Sequence, residues 1–320
     1  MTNHSDSADH VPHVTGETGS VPPVVQLIKL PGRSSASTSP VGEKSAGYEE
    51  IVRESLANYA NQVGGHRVLV QPKDSSMVWK PFDEAEYQFY DECVRAACSS
   101  LLPFTARCFG EVSVSKSSKY VMLEDLAHGL SNPCILDLKM GVKQRSVRNF
   151  SSAKVASKEA KSIESTSHSL GFRIGGAQMY SSDGSLSFYN KYFGRTQNVQ
   201  ETYILLSSFF HHNTQEYITQ LETLSDLINN LSGFRFWSGS LLFIRDETHW
   251  VLKMIDFANY TYIASSNEPD REYLFGIASI IKFLHAIELG QETPPIGSPP
   301  DPQLQDIELR DAVDHINNIS

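Results

Sequence analysis

Apolar residues recur at intervals of three and four along some stretches of this chain and alternate or run together along others. The first pattern predicts helices and the second predicts strands. Behind Asp83, the residues Phe89, Tyr90, Cys93, Val94 and Ala97 follow the helical spacing. Ile218, Leu221, Leu224, Ile228 and Leu231 form one stripe of a helix predicted over 214–231. Leu274, Ile277, Ile281, Leu284 and Ile287 do the same over 271–288. Further helices are predicted over 48–62, 152–164 and 198–211. Strand patterns at 67–71 and 77–80 flank Lys73-Asp74-Ser75 and predict a hairpin. Others fall at 107–114, 119–124, 171–180, 186–190, 234–245 and 250–256. Near the middle, Pro133-Cys134-Ile135-Leu136-Asp137-Leu138-Lys139-Met140-Gly141 is an apolar strand that carries one acid and one base and closes on a glycine.

This order predicts an α+β protein in two lobes with a cleft between them. A smaller N-terminal lobe spans 47–126 and has strands plus one helix. A larger lobe of antiparallel strands and helices spans 127–289. Residues 1–46 are rich in Ser, Thr, Pro and Gly, cannot bury enough surface to offset their ordering entropy, and are read as a disordered tail. Residues 290–320 read as a Pro-rich acidic tail, with a short helix over 307–319 outside the main core.

Composition narrows the function classes. Charged residues make up 20% and hydrophobic ones 40% of 320, ordinary for a globular chain. No run reaches the roughly 18 apolar residues of a membrane span, so no membrane insertion is expected. Met1 to Gly19 is polar and lacks the apolar stretch of a signal peptide. None of the four cysteines forms a C-x-x-C pair, which suits a reducing compartment, cytoplasmic or nuclear. A net charge of −10 argues against a general nucleic-acid binder. Against that background, 139–161 holds seven basic residues (Lys139, Lys143, Arg145, Arg148, Lys154, Lys158, Lys161) and one acid, Glu159. Lys154, Lys158 and Lys161 are spaced to share one helical face, where like charges repel unless an anion lies among them. Multiple phosphates suit that arrangement; a solvated basic face is the plainer alternative.

Four further positions carry candidate chemistry. Side chains alternate along a strand, so Asp137, Lys139 and Ile135 share a face. Lys80 ends a strand of the small lobe, a place from which kinase-type folds hold ATP phosphates, or else it is an ordinary edge lysine. Tyr120 to Leu126 runs into the interlobe linker, where the backbone of Glu124 and Leu126 can face an adenine edge. Asp256 ends an apolar strand, where a carboxylate can hold Mg²⁺ against phosphates or simply cap a turn. No G-x-S-x-G elbow or P-loop occurs, and His211-His212 lacks metal-ligand spacing.

Together these residues resemble the inositol polyphosphate kinase family. Its P-x-x-x-D-x-K-x-G signature is matched by Pro133, Asp137, Lys139 and Gly141. Its S-S-L-L element is matched incompletely by Ser238-Gly239-Ser240-Leu241-Leu242, and its I-D-F element by Ile255-Asp256-Phe257. Gln62-Val63-Gly64-Gly65-His66, Ser165-Thr166-Ser167, Lys191-Tyr192-Phe193-Gly194-Arg195 and the segment from Pro269 to Gly276 look most like the inositol hexakisphosphate kinase branch. Asn259 departs from the pattern, because relatives often carry histidine there.

The resemblance implies a two-lobed kinase-like fold with ATP in the cleft and Mg²⁺ as cofactor. It implies ATP-dependent phosphorylation of inositol hexakisphosphate to a diphosphoinositol product. The alternative is a multikinase or trisphosphate kinase acting on ring hydroxyls. Lys80 would hold ATP phosphates, Glu124 and Leu126 would meet adenine, and Asp137 would bind ribose hydroxyls. Asp256 would hold the metal, and Lys139 would stand between the γ-phosphate and the acceptor. Lys154, Lys158 and Lys161, with Lys143 and Arg145 nearby, would cradle the substrate phosphates within a helical segment at 143–165. Protein partners of the tails are left open.

Overall fold

The computed structural model describes residues 55–65, 67–93, 96–146 and 152–319. The predicted tail over 1–46 lies outside them, as does the first part of the helix predicted over 48–62.

The N-terminal sheet is built from β1 (Leu56–Asn58), β2 (Val70–Pro72) and β3 (Met77–Pro81), followed by helix α1 (Glu84–Gln88) and then β4 (Cys108–Ser115) and β5 (Ser118–Glu124). Its antiparallel order is β1-β2-β3-β5-β4. Asp83 caps α1 by accepting the Glu86 amide, and the helix runs on into a π turn over Phe89–Cys93. Residues 56–58 therefore differ from the predicted helix. Leu56 to Asn58 pair with Pro72 to Val70, and these ladder hydrogen bonds at the open sheet edge outweigh weak local helix preference.

The larger part opens on β6 (Cys134–Met140). It continues through α2 (Ser152–Ile163), α3 (Ser167–Leu170), β7 (Phe172–Tyr180), β8 (Leu186–Tyr189), α4 (Lys191–Thr196), α5 (Val199–Phe209) and α6 (Thr214–Asn229). Then come β9 (Phe234–Phe236), β10 (Ser240–Arg245), β11 (Trp250–Ile255), β12 (Tyr260–Tyr262), α7 (Arg271–Glu288) and α8 (Pro302–Ile319). The main sheet has the order β11-β10-β6-β7-β8, and β9 pairs with β12 in a small separate sheet. Leu136, Leu138 and Met140 turn one face of β6 into the core, where Ile218, Leu221, Leu224 and Ile228 of α6 and Ile277, Ile280, Phe283 and Leu284 of α7 meet them. The other face of β6 presents Ile135, Asp137 and Lys139 to the cleft. Phe89, at the end of α1, stacks on Phe257 with ring centroids 3.7 Å apart, and so ties the two parts together beside Asp256.

Two further expectations are corrected. The single strand predicted over 234–245 is two strands in different sheets. Ser238 adopts a left-handed backbone (φ 57°), and the Gly239 amide donates back to the Phe236 carbonyl, so the chain turns between them. Nor does the acidic C-terminal helix stand apart from the core. Asp306 of α8 accepts from Lys143 Nζ and Arg145 Nε, both at 2.8 Å. Glu308 accepts from Arg235 Nε at 2.7 Å, and Gln305 Oε1 accepts from Trp237 Nε1 at 2.9 Å. The side chains of Arg145 and Arg235 are each only 1% exposed. Buried guanidiniums require counter-ions, and the helix that reads as a polar tail supplies them.

Candidate active site

Between the two larger sheets lies a cavity of about 430 Å³, within the range of small-molecule sites. Val78, Ala106, Leu123, Leu242 and Ile244 give it an apolar wall, and Glu124 and Leu126 line it at the linker. That linker is anchored by Asp125, which accepts from Tyr59 Oη at 2.5 Å, Gln71 Nε2 at 2.8 Å and the Ala127 amide at 3.0 Å.

The polar end is organised around Asp256. Its backbone is left-handed (φ 68°), a conformation that costs a non-glycine residue free energy and is retained where the surroundings over-determine it. Asp256 Oδ1 accepts from Lys80 Nζ at 2.7 Å, and Oδ2 accepts from Lys139 Nζ at 3.0 Å. Lys139 also donates to the Ser238 carbonyl at 2.9 Å, so both left-handed turns converge on its ammonium group. Lys80 donates in addition to Glu86 Oε1 at 2.7 Å, and the same oxygen accepts the Phe257 amide at 3.2 Å. Burial opposes ionisation of Asp256, but Lys80 and Lys139 outweigh it and hold the carboxyl far below the usual range. Burial likewise opposes the charge on Lys80, and Asp256 and Glu86 outweigh it, so the ammonium group is held above its ordinary value. Glu86 is one of the residues that sequence reasoning missed. A carboxylate in the helix after the lysine strand was a visible signal, but Asp83 and Glu84 compete for the role, and only the cap at Asp83 turns Glu86 inward.

Asp137 is 3% exposed, lines the cavity, and has no hydrogen-bond partner for Oδ1 among the described residues. Burial pushes its carboxyl up, against the opposing pull of Lys139. Gly64 and Gly175 close around the carboxylate so tightly that a Cβ on either would lie 2.1 Å from Oδ2 or 2.8 Å from Oδ1. An acid whose folded pKa is raised costs stability when it is ionised and relieves that cost as pH falls. Asp137→Asn is therefore expected to raise the Tm at neutral pH by roughly 2 °C. Thermal unfolding of the two proteins side by side checks the sign.

Of the predicted residues, Lys80, Glu124, Leu126, Asp137, Lys139, Lys161 and Asp256 line this one cavity. Lys154 and Lys158 lie on α2, but their side chains are outside the described residues, as is Arg148 altogether. Lys143 and Arg145 require correction as substrate contacts. Neither lines the cavity. Lys143 turns to Asp306, and the Arg145 guanidinium is enclosed between Asp306 and Glu272, with Nη1 at 2.8 Å from Glu272 Oε2. Their place in a basic run on the sequence could not reveal acids 127 and more residues away. Arg67, Arg173, Lys191 and Arg195 also line the cavity and were not read as site residues. Asn259 lines it as well and accepts the Ser146 hydroxyl at 2.5 Å.

Among the described residues no group of three His, Cys, Asp or Glu is placed to hold a metal by itself. Both oxygens of Asp256 accept from ammonium groups, so a divalent cation would share this carboxylate with Lys80 and Lys139; Mg²⁺ is commonly bound by one or two carboxylates together with substrate phosphates.

The profile of the inositol polyphosphate kinase family matches residues 120–285, just over half of the 320. The chain belongs to the inositol polyphosphate kinase family. Inositol hexakisphosphate kinase 3 of Mus musculus is 32% identical over 209 residues, which cover 55% of this chain and 52% of the relative. Inositol hexakisphosphate kinase 1 of Saccharomyces cerevisiae is 38% identical over 148 residues, 43% of this chain and 14% of the relative. The chain thus spans about half the length, or less, of these curated relatives. Among solved structures, the inositol phosphate multikinase Ipk2 of S. cerevisiae in complex with ADP and Mn²⁺ superposes with a TM-score of 0.57 at 22% identity. That superposition covers 67% of this chain and all of the other, and it establishes the α+β kinase-like fold. Within the family segment fall β6, all but the last three residues of α7, and Asp256, whereas Lys80, Glu86 and α8 lie outside it.

Proposed function

We propose that this chain is an ATP- and Mg²⁺-dependent inositol hexakisphosphate kinase that forms a diphosphoinositol product. The observation that carries the reading is the Lys80–Asp256–Lys139 triad, set in one cavity that the linker residues Glu124 and Leu126 and further cations also line. The branch resemblance and the names of the relatives support the choice of substrate. The apolar wall and the Glu124 and Leu126 backbone suit adenine, and the partnerless Oδ1 of Asp137 suits a ribose hydroxyl. Asp256 would hold Mg²⁺, which supplies charge neutralisation on the triphosphate.

The roles of the chain's own groups follow from their positions. Lys80, fixed by Glu86, neutralises phosphate charge on the nucleotide side. Lys139 reaches the same carboxylate from β6 and meets the charge that develops between donor and acceptor. Lys161, which lines the same cavity, would meet phosphates of the acceptor. In-line phosphoryl transfer is accelerated mainly by positioning and charge neutralisation. A phosphate acceptor is already ionised near neutral pH and requires no strong general base.

The test offers the purified protein Mg²⁺-ATP with inositol hexakisphosphate or inositol trisphosphate in separate reactions and resolves the products by charge. A species more anionic than the hexakisphosphate is expected. Conversion of the trisphosphate alone would move the protein to the multikinase reading, for which Asn259, seated in the cavity where relatives often carry histidine, is the first residue to change.

A further inference from the structure

Arg173 and Arg195 form a pair of cations with no carboxylate in ion-pair contact among the described residues; Asp137 acts on Arg173 from beyond that distance and only partly offsets the cost of burial. Arg173 lies on β7 directly opposite Lys139 of β6, so the two side chains stand next to each other on the same face of the sheet. Its side chain is largely enclosed (the residue is 9% exposed), and its Nη1 donates to the Ser167 hydroxyl at 3.0 Å. Among the described residues it has no ion pair. Arg195 follows Gly194, whose Cα sits so close to β7 that a Cβ would lie 2.0 Å from the Ile174 carbonyl oxygen. That contact seats α4 on β7 and brings Arg195 to the same cavity wall as Arg173. Asn190 fixes the start of α4 by accepting the Tyr192 and Phe193 amides at 2.9 and 3.1 Å. The Arg195 Nε–H is buried and has no acceptor among the described residues. Burial and the charge of Arg195 together press the Arg173 pKa down to about 10, the reverse of what a paired guanidinium shows.

Two mutually repelling guanidiniums, one buried and the other half-buried, are costly unless an anion is shared between them. Guanidinium forks match the oxygens of a phosphate in two-point contact. The strand order identifies which phosphate. Asp256 ends β11 on one side of Lys139, and Arg173 lies on β7 on the other, with β10 and β6 between those two strands. The pair is therefore on the side of Lys139 away from the carboxylate assigned to the metal.

We infer that Arg173 and Arg195 hold the acceptor phosphate of an inositol polyphosphate and present it to the transferred group beside Lys139. The inference rests on the kinase reading above. In the step it implies, an ionised oxygen of that phosphate forms a new P–O bond to the γ-phosphorus. The β,γ-bridging P–O bond breaks and its electron pair leaves on ADP. No proton is taken from the acceptor.

The test compares wild type with Arg173→Met, Arg195→Met and Arg195→Lys. Inositol hexakisphosphate is titrated calorimetrically into nucleotide-free protein, and steady-state kinetics are measured with each substrate varied. Each methionine variant is expected to bind inositol hexakisphosphate about tenfold or more weakly, to lose kcat/KM for it at least in proportion, and to keep its KM for ATP within about twofold. Arg195→Lys is expected to recover part of the binding. Thermal unfolding verifies that each variant is folded, and the lysine variant carries the test if a methionine variant is not. Unchanged hexakisphosphate affinity in folded variants overturns the inference, and so does a loss that falls on ATP instead. If wild type binds the hexakisphosphate through these arginines but yields no product, the kinase reading fails while the anion site stands. If wild type turns it over and the variants do so equally well, only the arginine assignment fails.

Discussion

Asp256→Asn is expected to lower kcat for the proposed transfer at least about a thousand-fold, the scale on which losing one preorganised charge at a reacting phosphoryl group is felt. The substitution keeps the side chain's size but removes the charge that two ammonium groups share at 2.7 and 3.0 Å. The fold should survive, because Lys80 retains Glu86 and Lys139 retains the Ser238 carbonyl. The Tm should nevertheless fall, since two cations are left facing each other around a neutral amide. The pH behaviour has a definite sign. An acid held below its ordinary 3.8 contributes stability that is complete above that value and is lost only as pH falls through the lower folded pKa. Lys80, held above 10.5, contributes below that value and loses its contribution only at still higher pH. Between pH 5 and 9 neither group should titrate, and a pH–rate profile should show no limb from them. Wild-type turnover by a folded Asp256→Asn protein would remove the proposed centre.

Arg145→Met is expected to destabilise the fold by about 3–5 kcal/mol, the usual cost of removing one partner of a buried ion pair. That is a large part of the roughly 5–15 kcal/mol that separates folded from unfolded domains. Glu272, 2% exposed, would be left without its guanidinium. Burial already pushes the Glu272 carboxyl up, with Arg145 as the main opposing influence. Without Arg145 its pKa rises further, so the variant's deficit should shrink as pH is lowered and Glu272 takes up a proton. Urea unfolding at several pH values measures both effects. Lys143→Met makes the control: its ammonium group is partly exposed, and Asp306 would keep Arg145. An Arg145→Met protein as stable as wild type, but with a raised KM for the inositol phosphate, would return Arg145 to the substrate.

The residues that converge on Asp256 were legible because their chemistry is local. Asp137 and Lys139 two apart on a strand, Lys80 at a strand end and Asp256 after an apolar run each state a direction without reference to distant segments. The long helices α6 and α7 were legible for the same reason, as a stripe at helical spacing needs only one face of core. Segments whose state is decided by a remote partner were not legible. Leu56 to Asn58 become a strand because β2 is there to pair with them. Arg145 sits in a run of basic residues yet belongs with Glu272 and Asp306, far along the chain. Arg173, by contrast, looked like one more residue of an apolar strand until the register placed it beside Lys139.

The docking of α8 has a consequence for descent. Arg145 and Arg235 both lie inside the matched range of 120–285, as does Glu272, one partner of Arg145, but Asp306 and Glu308, the acids that α8 brings to them, are outside it. The two arginines differ in what the helix means to them: without α8, Arg145 would keep Glu272, whereas Arg235 would lose Glu308, its one carboxylate partner among the described residues. Arg235 and Glu308 should therefore be gained or lost together, so a homologue that ends after α7 should carry a neutral residue at the position of Arg235 while it can retain Arg145 with Glu272.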